Sequence, residues 1–230
     1  ALCCDFLSRR LSLYTDVEQR YTFEERYAEL LRHHDASWIN LWSATSAYYH
    51  ALRGETDKIP ESFSQHRLSD INLLVPGKPM MEMIENQVHL AEGAYAKVIG
   101  RSAELLAVCE TMHYALVALH VRIQTAAAYE KLGKSEEGRA WLRKALSDAA
   151  PDGLVMPFVE NYERLKPLLA REIKTELIEK ITKLGEAAER RRDESARPPT
   201  FDALTGREYE VVRLMAQRLS NREIAEKLYL

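Results

Sequence analysis

A chain of 230 residues is long enough to bury a substantial core, as one large domain or two modest ones. Its hydrophobic (46%) and charged (29%) fractions are typical of a globular protein, and its net charge of −3 argues against a protein that wraps nucleic acid along its whole surface. No apolar run approaches the roughly 18 residues of a membrane-spanning helix. Three cysteines match neither a disulfide framework nor metal-ligand spacing. These features predict a cytoplasmic protein without a membrane partner.

The first 35 residues have a helical period but no clear helix boundaries. His33 and His34 suggest a metal site, but adjacent residues on a helix point about 100° apart. We therefore expect a solvated helix end there, and we predict no metal ligands in the chain.

From Trp38 onward the pattern predicts consecutive helical hairpins and few strands. The predicted helices cover residues 38–54, a partner to about 68, 80–99, a short partner at 103–109 after a break at Gly100, 113–132 and 135–149. The interval from Gly100 to Gly133 is close to the roughly 34-residue period of tetratricopeptide hairpins. The chain is therefore predicted to be an all-α superhelix of tetratricopeptide-like hairpins.

The last hairpin, residues 126–146, has the clearest pattern. Its sequence AAAYEKLGKSEEGRAWLRKAL resembles a tetratricopeptide unit, with Ala126 and Gly138 as the small residues where the two helices touch. The remaining core positions are predicted to be Tyr129, Leu132, Trp141 or Leu142, and Ala145.

Motifs for catalysis are incomplete throughout the sequence. Gly133-Lys134-Ser135 ends like a phosphate-binding loop, but Ala128 stands where that loop requires glycine. Glu110 and His113 have the spacing of a carboxylate-bridged di-iron site, which needs a second copy elsewhere. We therefore predict no enzyme activity and no cofactor in this chain.

Beyond the hairpins, residues 172–190 are predicted to form a further helix. Residues 190–199 (RRRDESARPP) are polar and end in two prolines, which predicts a linker. Residues 204–228 then predict two short helices that open on capping boxes, Thr205 with Glu208 and Ser220 with Glu223. Their apolar stripes, which include Leu214 and Leu228, lack a third element to cover them. We therefore expect this part to be loosely ordered or to associate with another copy of the chain.

The stretch LTGREYEVVRLMAQRLSNREIAEKL resembles the first two helices of the helix-turn-helix domain of LuxR-type transcriptional regulators. The matching positions are Leu204, Thr205, Arg207, Glu208, Val211, Leu214, Ser220, Asn221, Glu223, Ile224, Ala225 and Leu228. Arg218 departs from the pattern, because the family usually has glycine there. Residues 145–171 are similar to the segment that closes the sensor region in the large MalT-like members of the family.

This resemblance implies a tetratricopeptide-like sensor over residues 1–171, a helix and linker over 172–200, and a partial helix-turn-helix domain over 201–230. It implies a fragment of a bacterial regulator whose upstream region, absent from this chain, would bind ATP. The third helix enters the major groove in this family and would begin past Leu230. We therefore expect the full-length protein, but not this fragment, to bind promoter DNA. By resemblance, the supporting contacts come from Thr205, Arg207, Glu208, Ser220, Asn221 and Arg222.

On the predicted helix 113–132, His120, Ile123, Ala127 and Glu130 recur on one face. In tetratricopeptide-like stacks this face lines the concave groove, so we expect it to bind an unknown inducer or regulatory protein. Alanine at His120 or Glu130 should then weaken binding with little loss of stability. The alternative is that His120 is a hydrogen-bonded core residue.

Two further hypotheses stay open for the whole chain. A stand-alone helical repeat adaptor would bind peptides or proteins in the same groove. A metal-dependent helical-bundle enzyme would require a bound metal ion.

Overall fold

The computed structural model describes residues 36–68 and 75–196, together with the single positions 29, 31, 32, 214, 225, 227 and 228. Contacts divide the chain into two compact units, Ala1–Glu189 and Arg190–Leu230. The described residues form helices and no strand, which confirms the predicted all-α fold. The helices are α1 (Ala36–Arg53), α2 (Glu61–Ser64), α3 (Lys78–Ala91), α4 (Tyr95–Thr111), α5 (Ala115–Lys131), α6 (Ser135–Ala149), α7 (Met156–Val159), α8 (Tyr162–Leu169) and α9 (Glu176–Ala196), with single 3-10 turns at Thr56–Lys58 and Val75–Gly77.

A repeated turn ends helices α1, α3, α4 and α5. After α3, Gly93 has a φ of 77° and the amide of Ala94 donates to the carbonyl of His89 at 2.8 Å. Gly133 has a φ of 74° after α5, where Lys134 donates to Tyr129 at 2.9 Å. This is the hydrogen bond of a Schellman cap, which needs a left-handed residue and therefore favours glycine.

The predicted boundary between two hairpins at Gly100 is wrong. Gly100 lies inside α4, whereas the break falls at Gly93. Glycine inside a helix costs only about 1 kcal/mol relative to alanine, so packing on neighbouring helices readily tolerates it. Gly93 and Gly133 occupy equivalent turns, so the hairpin unit is longer than the interval from Gly100 to Gly133 that the sequence suggested.

The helices of the first unit pack in two layers. In the first layer α1 contacts α3, α3 contacts α5, and α5 contacts α8. In the second layer, α4 packs against α3 and α5, while α6 packs against α5 and α8. Helix α5 therefore contacts α3, α4, α6, α7 and α8, and it is enclosed over most of its length.

The predicted contact of the last hairpin is confirmed. A Cβ atom added to Gly138 would lie 3.1 Å from the carbonyl oxygen of Ala126 and 3.2 Å from Cδ1 of Leu168. The two helices can approach this closely only because both residues are small. Leu142 and Ala145 are fully buried as predicted, whereas Leu132 is 45% exposed.

The C-terminal part of the first unit adds further apolar packing. Ile178 and Ile181 of α9 join the core formed by α5, α6 and α8. Glu172 accepts hydrogen bonds from Arg139 at 2.9 Å and Arg143 at 2.8 Å, which ties the start of this segment to α6.

Two sequence expectations concern residues beyond Glu189. The stretch predicted to be a linker is helical from Arg190 through Ala196, because α9 continues that far. In the second unit, Leu214 and Leu228 are buried rather than partly uncovered.

No helix within the described residues has both the length and the apolar character needed to cross a membrane.

Candidate ligand-binding site

Seven polar side chains of α1, α3, α5 and the α7–α8 junction are buried in the first unit. We call them the buried polar cluster: Tyr48, Asn86, Gln87, His120, Gln124, Glu160 and Asn161. All of them are almost completely shielded from solvent. Burying polar groups costs free energy unless they are hydrogen-bonded, so such a cluster calls for a specific account.

One half of the buried polar cluster contains its ionisable groups. The hydroxyl of Tyr48 donates to Oε2 of Glu160 over 2.6 Å, the length expected of a charge-assisted hydrogen bond. Nδ1 of His120 lies 3.4 Å from the same hydroxyl and 4.0 Å from the Glu160 carboxylate. These contacts join α1, α5 and the end of α7.

The other half is a chain of side-chain amides. Nε2 of Gln124 donates to Oε1 of Gln87 and to the backbone carbonyl of Met83, each at 3.0 Å. Nε2 of Gln87 in turn donates to Oδ1 of Asn161, also at 3.0 Å. Asn161 directly follows Glu160, and Gln124 lies one helical turn after His120, so the two sets of hydrogen bonds involve neighbouring residues of the same elements.

Several atoms of this cluster lack a hydrogen-bond partner among the described residues. They are both side-chain atoms of Asn86, Oε1 of Gln124 and Nδ2 of Asn161. A buried polar atom left unpaired costs about 1–3 kcal/mol. The buried polar side chains therefore leave two amide donors and two carbonyl acceptors unused.

The predicted groove residues are placed differently from our expectation. His120 belongs to the buried polar cluster, where it contacts Tyr48. Ile123 and Ala127 are fully buried in the apolar core, and Glu130 is half-buried. Three of the four therefore do not line an open groove, because α5 is enclosed by neighbouring helices on several sides.

Six residues of the buried polar cluster were missed from the sequence, and some left a usable signal. Asn86 and Gln87 are consecutive amides in α3, a helix that is otherwise rich in buried apolar residues. Gln124 follows His120 by four residues and so shares its face. Tyr48 and Glu160 leave no such signal, because only the tertiary structure brings them together.

The six residues predicted to support DNA binding are Thr205, Arg207, Glu208, Ser220, Asn221 and Arg222, and all lie outside the described residues. Comparisons of the chain with protein-family models, with curated proteins and with solved structures give no match.

Proposed function

We propose that this chain is part of a bacterial transcriptional regulator of the LuxR type, in which the helical unit senses an inducer or a regulatory protein and controls a C-terminal helix-turn-helix domain. The sequence of residues 204–228, with its two capping boxes, supports the DNA-binding part of this proposal. The observation that carries the sensing part is the buried polar cluster, with unpaired amide groups at Asn86, Gln124 and Asn161.

The chemistry of the buried polar cluster indicates the kind of ligand. Asn86 offers a donor and an acceptor, Gln124 an acceptor and Asn161 a donor. A ligand that satisfies all of them carries both donors and acceptors, as a peptide backbone or a polyhydroxylated molecule does. A purely apolar ligand would leave these groups unpaired, so it would be rejected.

The position of the cluster suggests how binding would be transmitted. Its side chains connect α1, α3, α5 and the α7–α8 junction, so a ligand that pairs with them would favour one arrangement of these helices. Helix α8 holds Tyr162 against α9 at Gly185. Helix α9 leads in sequence toward the predicted DNA-binding segment, and we infer that it carries the signal.

The sensing part can be tested by native mass spectrometry on the purified chain. We expect a bound polar molecule, or one acquired from a metabolite mixture, to give a mass adduct. The variants Asn86→Leu and Gln124→Leu should lose it, because each removes unpaired polar atoms. Gln65→Ala, on the exposed end of α2, is the control that should retain it. An adduct that persists unchanged in both cluster variants would show that the ligand binds elsewhere.

The DNA-binding part requires a separate experiment. Residues 201–230 contain five basic and five acidic residues, so this segment has no net positive charge to attract phosphate. We expect no sequence-selective, salt-sensitive gel shift with residues 1–230. A chain extended through the third helix should give one on its target promoter. A parent reading frame that lacks such a helix would instead favour the stand-alone adaptor.

A further inference from the structure

A second group of ionisable side chains lies away from the buried polar cluster, where the end of α2 meets the end of α3. Nε2 of His66 lies 3.0 Å from Oε2 of Glu92, and Nδ1 of His89 lies 3.7 Å from the same oxygen. The centroids of the two imidazole rings are 4.2 Å apart, and the ring planes are tilted by 33° to each other. The donor atoms that these three residues offer all lie within 4.8 Å of one another.

Local structure explains how the three residues meet. His89 and Glu92 are one helical turn apart at the end of α3, so they share one face. His66 follows α2 in the left-handed conformation, with a φ of 54°, and Arg67 donates to the carbonyl of Ser62 at 3.1 Å. Glycine is the favoured residue at such a position. A histidine there accepts backbone strain while directing its imidazole toward α3.

We propose that His66, His89 and Glu92 form a binding site for a divalent metal ion of the Zn²⁺ class. The ligand atoms are Nε2 of His66, Nδ1 of His89 and Oε2 of Glu92. Ligands about 2.0–2.2 Å from a tetrahedral zinc ion are separated from one another by roughly 3.3–3.6 Å. The two separations to Oε2 of Glu92, 3.0 and 3.7 Å, lie on either side of that range.

The state of His89 suits a metal ligand. Its side chain is buried, and its Nδ1 has no hydrogen-bond partner within the described part of the chain. Burial disfavours the charged form of an imidazole, and the neutral form is the one that coordinates metals.

Two charged residues next to the proposed metal ligands, Glu85 and Arg101, can orient and balance them. When Nε2 of His66 binds a metal, its Nδ1–H points to the buried carboxylate of Glu85, whose Oε1 lies 3.6 Å away. Metal-bound histidines commonly direct their second nitrogen at a carboxylate in this way. Arg101 forms an ion pair with Glu85 and balances its charge, which leaves Glu92 as the anionic ligand that faces the cation.

The ligand set also distinguishes among metals. Two imidazole nitrogens and one carboxylate oxygen favour zinc and related transition metals, whereas Mg²⁺ and Ca²⁺ prefer oxygen alone. His66 and Glu92 are each about one quarter exposed, so solvent can reach the site and supply a further ligand. This site is independent of the proposed sensing function.

The test is calorimetric titration of the intact chain, stripped with a chelator, with ZnCl₂ at pH 7. The wild-type protein should bind one equivalent at this site. His66→Gly removes the ligand and also relieves the left-handed strain, so the variant should stay folded. It should bind Zn²⁺ at least about tenfold more weakly, as should Glu92→Gln, because loss even of an outer-shell partner typically costs about 10–100-fold.

His113→Gly provides a matched control. His113 has a φ of 56° in the equivalent position after α4, and it is not one of the three proposed metal ligands. Zn²⁺ should raise the midpoint of thermal unfolding in the wild type and in H113G but not in H66G. A wild-type protein that binds no Zn²⁺, or an H66G variant that binds as tightly as H113G, would overturn the proposal.

The spectrum of the Co²⁺-loaded protein separates this site from one formed by cysteines. Nitrogen and oxygen ligands give the visible bands of a distorted tetrahedral ion without a thiolate charge-transfer band. A strong thiolate band that is unaffected by H66G would place the metal on cysteine and contradict the assignment.

Discussion

Helix α5 makes two contrasting contacts. At Ala126 it meets Gly138 of α6 in a contact so close that one added methyl group would press on the backbone. At Gln124 and His120 it contributes instead to a buried polar network in which several atoms stay unpaired. Both contacts are buried. The contact at Ala126 is a close apolar one, whereas the polar side chains at His120 and Gln124 belong to a group in which unpaired atoms lower the stability of the fold. Unpaired buried groups of this kind are rare in native proteins, and they are the reason why we propose a binding role for this part of α5.

The close apolar contacts should be the most sensitive to added volume. A Cβ atom on Gly185 of α9 would overlap with the ring of Tyr162. We therefore expect Gly185→Ala to lower the free energy of unfolding by about 2–3 kcal/mol, as overpacking does. Gly100 also lies within a helix but has open space around it. Gly100→Ala should raise the free energy of unfolding by up to about 1 kcal/mol. Urea denaturation of both variants measures the difference, and equal effects would contradict the packing described here.

His120 tests the polar side of the comparison. The sequence suggested that His120→Ala would barely change stability, but the side chain is 3% exposed and contacts Tyr48. We now expect a loss of about 2 kcal/mol from the cavity and the lost contact. Glu130→Ala, at a half-buried position, should cost less than about 1 kcal/mol. Thermal unfolding distinguishes the two, and a negligible effect at His120 would restore its assignment to an open groove.

Asn86 sharpens the comparison because its replacement should act in the opposite direction. Both of its side-chain polar atoms lack a partner within the described residues. Asn86→Leu should therefore raise the free energy of unfolding of the ligand-free protein by about 1–2 kcal/mol. Asn161→Leu should lower it, because Gln87 then loses its acceptor. Chemical denaturation of the two variants is the measurement, and a destabilised N86L protein would argue against an unpaired site.

A smaller effect is expected from an ion-pair group at the end of α1. Glu55 contacts His50 at 2.8 Å and Arg53 at 2.7 Å. Burial works to raise its pKa, but hydrogen bonds from Arg53 and His50 outweigh this and lower the pKa to about 2. Because the pKa is lowered on folding, the stabilisation is present above pH 4.5 and is lost as the pH falls from 4.5 toward 2. After allowance for solvent screening it amounts to about 1 kcal/mol.

The measurement is the unfolding free energy of wild type minus that of Glu55→Gln at pH 7 and at pH 3. The difference should be positive at pH 7 and smaller at pH 3, and high salt should reduce it. A difference that does not change with pH would show that the carboxylate is not stabilised by folding.

Some features of this protein follow from local sequence alone. Helical periodicity and composition predicted the all-α fold, and the small residues Ala126 and Gly138 located one helix crossing, because close approach depends on side-chain size. The ends of α5 and α6 were placed within two residues, since Gly133 supplies the left-handed turn between them.

Other features were decided only by tertiary structure. The break falls at Gly93 rather than Gly100 although neither glycine is crowded by its neighbours, so residue type and local space do not distinguish the two positions. The burial of Ile123 and Ala127 depends on how many helices surround α5, which periodicity within α5 cannot reveal. Tyr48 meets Glu160, and His66 meets His89, although the members of each pair belong to different helical segments that are far apart in sequence. Contacts between residues so distant in sequence arise from the packing of different helices, so no local pattern encodes them.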